Sequence, residues 1–284
     1  MVQCCARLAA LLFVAQRVAR SARFLTQREH PRRCWITRCL TTKLPAIPYF
    51  TAQYKALAVI VLCSSSPNLS ASEMLAPYTA SYKTSAMGLG MTLHRELSRD
   101  PEGGYTLSNK GRVLFLSIEE TAQFRITDSR IIGERFDYKL AGLGSRKRAV
   151  RFEPEQGVIR SLRKKQWTEV PWVPDVYDRL SQQEQLRLEL MASDSPPAAI
   201  TFKVIDGPRV RERVMEWVGN ERITVPAGSF DTWHFRQLRD NDERESDIWV
   251  APELSYLMVL TRHREDDSVI SIELLDTSLD TRNL

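Results

Sequence analysis

From Pro77 onward the chain breaks into strand-length runs of β-branched, aromatic and alternating residues, cut by turn formers roughly every ten positions. This rhythm constrains the fold more than any other feature. Short strands joined by short turns pair first with their sequence neighbours, as an antiparallel meander. Strands are predicted near Tyr78–Ala86, Met91–Ser98, Tyr105–Leu116 and Glu119–Thr127. Others are predicted near Ile131–Leu140, Lys147–Glu153 and Val158–Lys164. Asp100-Pro101-Glu102-Gly103-Gly104, Asp128-Ser129, Gly142 with Gly144, and Glu155-Gln156-Gly157 supply the punctuation. Ala122, Phe124 and Ile126 alternate with Thr121, Gln123 and Arg125, so one face of that strand is buried and one is wet.

One segment breaks the rhythm. Asp175–Ala192 carries Val176, Leu180, Leu190 and Met191 on one side at helical spacing, with Leu186 and Leu188 widening that side. A helix over this span is predicted, with Asp175 as its cap behind Pro174 and Pro196-Pro197 as its stop. A helix this apolar packs into something concave, here the inner face of the sheet. Strands resume near Ala199–Ile205 and Val210–Val218. A hairpin follows, Arg222–Val225 with Phe230–Leu238, turning through Pro226-Ala227-Gly228. Pro pre-sets φ there and Gly supplies a positive φ for a three-residue loop. Ser246–Val250, Tyr256–Arg264 and Val269–Leu275 complete the set.

The stretch ITVPAGSFDTWHF followed by IWVAPELSYL resembles the C-terminal signature of an exported bacterial family catalogued as domain of unknown function 3108. DVYDRLSQQEQLRLEL is similar to its central helix, and YTASYKTSAMGLGM to its start. The likeness covers Pro77–Thr277. It implies export and carries no established activity. The element order and the Trp249–Pro252 turn are also similar to periplasmic lipoprotein-carrier folds, which hold acyl chains between a half-barrel and helices. The fold expected is therefore mainly β: a curved, mostly antiparallel open sheet or partly closed barrel with one helix across its concave face.

The charge divides at Glu73. The chain has 40 Lys and Arg against 35 Asp and Glu. Ten of the basic residues but only one acid, Glu29, precede Glu73, which leaves 30 against 34 in the remainder. The body is thus mildly acidic, and the overall excess of base does not argue for nucleic-acid binding. All five cysteines also precede Glu73 (Cys4, Cys5, Cys34, Cys39, Cys63), so the body has no thiol nucleophile or cysteine metal ligand. Residues 1–53 are Arg-rich and without periodicity. They read as a non-structural extension from a start placed too far upstream, or as an organelle transit peptide. Within 54–72, Lys55, the apolar run Ala56–Cys63 and the small polar stretch Ser64–Ser72 follow the secretory order. That run is far short of the ~20 residues that span a bilayer. Leu62 precedes Cys63 where a lipid-modified cysteine is preceded by a small residue, so a cleaved signal is expected. Residues 73–284 are then a single exported domain, located in the periplasm.

No catalytic spacing emerges. His94, His234 and His263 all lie in predicted strands without metal-ligand spacing, and no Gly-x-Ser-x-Gly elbow is present. No cofactor, metal or nucleic acid is expected, and no transmembrane segment. Trp217, Trp233 and Trp249 sit in strands, where large aromatics anchor a core or line an apolar pocket. With Leu180 and Met191 from the helix they are the candidate ligand-binding residues. Arg146-Lys147-Arg148, Arg151, Arg160 and Arg163-Lys164-Lys165 cluster in one hairpin, and Arg209, Arg211 and Arg213 alternate along one strand. Such groups form a solvated face or charged edge, or meet anionic lipid headgroups. The reading is a non-enzymatic envelope protein that binds or carries an apolar or amphipathic ligand. The alternative is a structural or protein-interaction module whose sheet is filled by its own side chains, and an enzyme comes third.

Overall fold

The structure, a computed structural model, describes residues 75–86, 89–142, 144–237, 244–265 and 268–279. The extension and secretory segment read over residues 1–72 lie outside them. The strands of the first half are β1 (Tyr78–Ala86), β2 (Leu89–Arg99), β3 (Tyr105–Val113) and β4 (Leu116–Thr127), then β5 (Arg130–Ala141), β6 (Arg146–Glu153), β7 (Val158–Arg163) and β8 (Gln166–Pro171). A two-residue strand, β9 (Val176–Tyr177), leads to the helix α1 (Ser181–Met191). The second half contains β10 (Ala199–Asp206), β11 (Arg209–Val225) and β12 (Gly228–Gln237), then β13 (Arg244–Ala251), β14 (Leu257–Glu265) and β15 (Ser268–Thr277).

All fifteen strands belong to one sheet, in the order β8 to β1, then β15 back to β9. Each half is a meander. The two are joined where the first strand meets the last, with Ala80 opposite Thr277 and Lys83 opposite Glu273. Every pairing is antiparallel except the short parallel contact of β9 with β10. β8 and β9 stand at the two ends of the order, so the sheet is open and mainly β, as its sequence rhythm predicts.

Alternation fixes the inner face. In β3, Tyr105, Leu107 and Asn109 are buried, and in β4, Ile118, Glu120, Ala122 and Phe124. Tyr105 stacks on Phe124 with ring centroids 5.6 Å apart. Gly133 is needed for packing: a Cβ there would lie 2.8 Å from the Phe152 ring. The helix lies against β4 and β5, and Gln185 Oε1 accepts from the Ile131 N–H at 2.8 Å. Leu180, Leu186, Leu188 and Leu190 are buried, and Met191 is partly buried against the same core.

Several boundaries differ from the sequence reading. The helix begins at Ser181 rather than at Asp175, because Asp178 does the capping. Its Oδ1 accepts from the Leu180 and Ser181 N–H groups at 2.8 and 3.0 Å, and its Oδ2 from the Ser181 hydroxyl at 2.7 Å. Val176 and Tyr177, read as helix, pair with Lys203 and Val204 instead. The span Tyr105–Leu116 is two strands separated by a turn at Leu114-Phe115. Gln166–Pro171, where no strand is predicted, is the edge strand β8. β11 runs unbroken through Gly219, with Val218 as the extra residue of a bulge between Trp217 and Gly219. The hairpin loop has two residues, not three, since Gly228 pairs with Val225. Pro226 cannot take the positive φ of a primed turn, and Gly228 carries it instead, at +142°. The Ala227 N–H donates to the Leu274 carbonyl at 3.0 Å, fastening the turn to β15.

Candidate functional site

The side chains that stand out are charged and buried together beneath α1. Glu184 is fully enclosed. Its Oε1 accepts from the Tyr78 hydroxyl at 2.8 Å and from Arg95 NH2 at 2.7 Å, and its Oε2 from Arg187 NH1 at 2.7 Å. Arg95 also donates to the Tyr78 oxygen and to Gln183 Oε1, both at 2.7 Å. Arg187 donates to the Ser255 carbonyl at 3.0 Å and lies 4.7 Å from the Tyr78 ring centre. Burial alone raises a carboxyl, but Arg187, Arg95 and the hydrogen bonds from Arg95 and Tyr78 outweigh it, so Glu184 is held below its ordinary value. Burial pushes Tyr82 up to about 12 and Tyr78 higher still, so both phenols stay neutral.

From Arg95 the polar chain continues along the inner face. Asn109 Oδ1 is 3.5 Å from Arg95 NH1, and Asn109 Nδ2 donates to Glu120 Oε2 at 3.4 Å. Glu120 pairs with Arg179, whose guanidinium lies 4.8 Å above the Tyr138 ring. There the chain reaches a cavity of about 210 Å³.

Four arginines line this cavity: Arg148 from β6, Arg163 from β7, Arg179 from the approach to α1, and Arg213 from β11. Glu120, Asp178 and Asp206 also line it, but each has a structural partner. Glu120 pairs with Arg179, Asp178 caps the helix, and Asp206 lies 3.7 Å from Arg211. Phe136, Val150, Leu162, Leu180, Ile205 and Ile272 supply apolar wall. Burial, helped by Arg213, pulls Arg179 down to about 9, and burial pulls Arg148 down to about 10. Arg163 and Arg213 are lowered for the same first reason. Asp206 opposes the shift in all four, and a bound phosphate or carboxylate would favour the charged guanidinium in the same way. Ser246 and His263 face each other in register across β13 and β14, with Oγ and Nδ1 2.8 Å apart, and both line the cavity. They offer hydrogen bonds to a bound oxyanion.

Of the candidate ligand-binding residues named from the sequence, only Leu180 lines this cavity. Met191 packs at the far end of α1. Trp249 is buried elsewhere, stacked on His234 at 4.3 Å and donating its indole N–H to Glu221 Oε2 at 3.0 Å. His234 itself lies between Glu221 and Asp247, 2.8 Å from each. Trp233 packs on Tyr256 with ring centroids 4.9 Å apart, beside a separate shallow groove. Trp217 is 39% exposed at the β11 bulge. The structure therefore does not bring the tryptophans together around a ligand. Arg148, Arg163 and Arg213 were visible only as basic runs. Arg179 carried no signal at all, being one cation in a segment read as helix.

Among the described residues no group of His, Cys, Asp and Glu could hold a metal ion, and no helix is long and apolar enough to cross a membrane. No curated protein matches the chain. A solved structure described as "a putative lipoprotein from Parabacteroides distasonis ATCC 8503" aligns over 72% of this chain and 96% of its own, at 13% identity and a TM-score of 0.27. A family model described as "Protein of unknown function (DUF3108)" matches residues 92–274, the greater part of the sheet together with α1 and the cavity. The chain belongs to that family.

Proposed function

We propose that this chain is an exported, non-enzymatic binding protein of the cell envelope that takes the anionic head of an amphipathic ligand. The observation that carries the reading is the convergence of Arg148, Arg163, Arg179 and Arg213 on one cavity that Phe136, Val150, Leu162, Leu180, Ile205 and Ile272 also wall. Guanidinium groups bind phosphate and carboxylate bidentately, and the apolar walls favour a ligand that is not simply a small ion. The cavity is smaller than the roughly 300 Å³ at which drug-sized ligand pockets begin. It suits a headgroup, with the tail left outside. The secretory order of Lys55–Ser72 supports export and a mature body beginning near Glu73.

A second reading, an interaction module with a self-filled sheet, is favoured by the complete burial of the helix leucines. Mass spectrometry of small molecules that co-purify with the exported protein separates the two. The binding reading expects an amphiphile with a phosphate or carboxylate head, lost in Arg213→Gln. A preparation free of any such molecule, from parent and variant alike, favours the interaction module.

A further inference from the structure

In the first meander the β3–β4, β5–β6 and β7–β8 turns all fall at one end of the sheet. The cavity is lined in part from the same strand ends. Arg148 is the third residue of β6, Arg163 is the last of β7, and Asp206 and Gly207 form the β10–β11 turn at that end of the other half. The three turns make a rim beside the cavity.

This rim has an unusual composition. Leu114 and Phe115, at the β3–β4 turn, are 68% and 57% exposed. Leu114 holds φ +51°, a conformation that disfavours a branched side chain. Neither packing nor backbone geometry in the described structure accounts for an apolar pair there. About 20 Å along the sheet, four strand spacings away, Lys164 and Lys165 form the β7–β8 turn. Both have positive φ, at +50° and +65°, in a place where Asn-Gly is the usual choice. Trp167, exposed at the start of β8, stands two residues beyond. Between these tips lie Lys139 and Lys147, also exposed. Strain retained in turns that hold exposed apolar and cationic side chains points to use of those side chains.

We infer that this rim docks on the surface of an anionic phospholipid bilayer. Leu114 and Phe115 enter the acyl boundary, Trp167 sits at headgroup level, and Lys147, Lys164 and Lys165 meet the lipid phosphates. A protein partner fits less well. Apolar and basic groups on two separate tips and on the strands between them give no continuous packed core of the kind a protein interface needs. A bilayer accepts such groups separately.

The inference does not depend on what the cavity holds, and Arg213→Gln should leave docking unchanged. The test is co-sedimentation of the full chain with vesicles of phosphatidylglycerol and phosphatidylcholine, or of phosphatidylcholine alone. Amide exchange over Val113–Leu116 and Arg163–Gln166 is followed alongside, as a readout separate from the Arg-rich N-terminal segment. The parent should bind the anionic vesicles more tightly, with slowed exchange at both turns. Leu114→Asn with Phe115→Ser removes the apolar tip and places a tolerant residue at the positive φ, so the fold is kept. It should weaken binding at least tenfold. Lys164→Gln with Lys165→Gln should weaken it about twenty-five-fold at low salt, near fivefold per lysine, and raised salt should erase the difference. Unchanged exchange at both turns on adding vesicles overturns the inference. So does a Leu114→Asn, Phe115→Ser variant that binds like the parent, or self-association of the parent without lipid that this variant abolishes.

Discussion

Glu184 is bonded by three groups, Tyr78, Arg95 and Arg187, all of them buried. Such a network contributes little over an apolar core of the same shape, yet breaking it is costly, because two guanidinium groups are left without a counter-ion. Glu184→Leu is expected to destabilise the domain by about 3–5 kcal/mol in denaturant unfolding. The pH dependence follows from the lowered carboxyl. The folded state ionises Glu184 more readily than the unfolded chain does. Its contribution is therefore complete above the ordinary carboxylate range and is lost as pH falls through the lower folded value. Glu184→Gln should flatten the acid limb of the stability profile, and an unaltered limb would show that other carboxylates set it. None of this was legible in the sequence. Arg95, Glu184 and Arg187 are ordinary charged residues until the fold stacks β1, β2 and α1, and a lone sequence cannot show that 89 positions of separation have closed to 2.7 Å.

At the scale of elements, the strands were legible because alternation and turn chemistry are local. Glu155-Gln156-Gly157, read as a turn, ends at Gly157 with φ +68°. The failures were also local. Asp175 and Asp178 both precede the apolar helical run, and sequence offers no way to choose between two aspartates three residues apart. Packing chose, because Val176 and Tyr177 pair with β10 and so cannot be helical. Asp178→Ala should cost about 1–2 kcal/mol, the upper range for a lost cap, whereas Asp175→Gly, which suits the positive φ of +56° there, should leave thermal unfolding nearly unchanged. Equal losses from both would contradict the cap assignment. β8 was missed because the run Gln166–Val170 is short and Pro171 cuts it off. Its Pro171 is tolerated since the strand stands at the sheet edge.

The molecule as a whole is two meanders joined at β1 and β15, and this joint brings arginines from β6, β7, β11 and the approach to α1 into one cavity. Residues 148, 163, 179 and 213 come from both flanks, so the site exists only in the complete sheet. The sequence offered the basic runs and the open architecture, and it offered an apolar ligand pocket that the fold does not assemble around the tryptophans. Calorimetric titration of the full chain with decyl phosphate and with decyl glucoside, each below its micelle concentration, shows whether the cavity takes an anionic head. Saturable 1:1 binding of the phosphate only is expected, weakened at least tenfold in Arg213→Gln, which is the loss of one charge-assisted hydrogen-bonded contact worth about 1.5–3 kcal/mol. Equal binding of the uncharged glucoside, or phosphate binding untouched by Arg213→Gln, would contradict it.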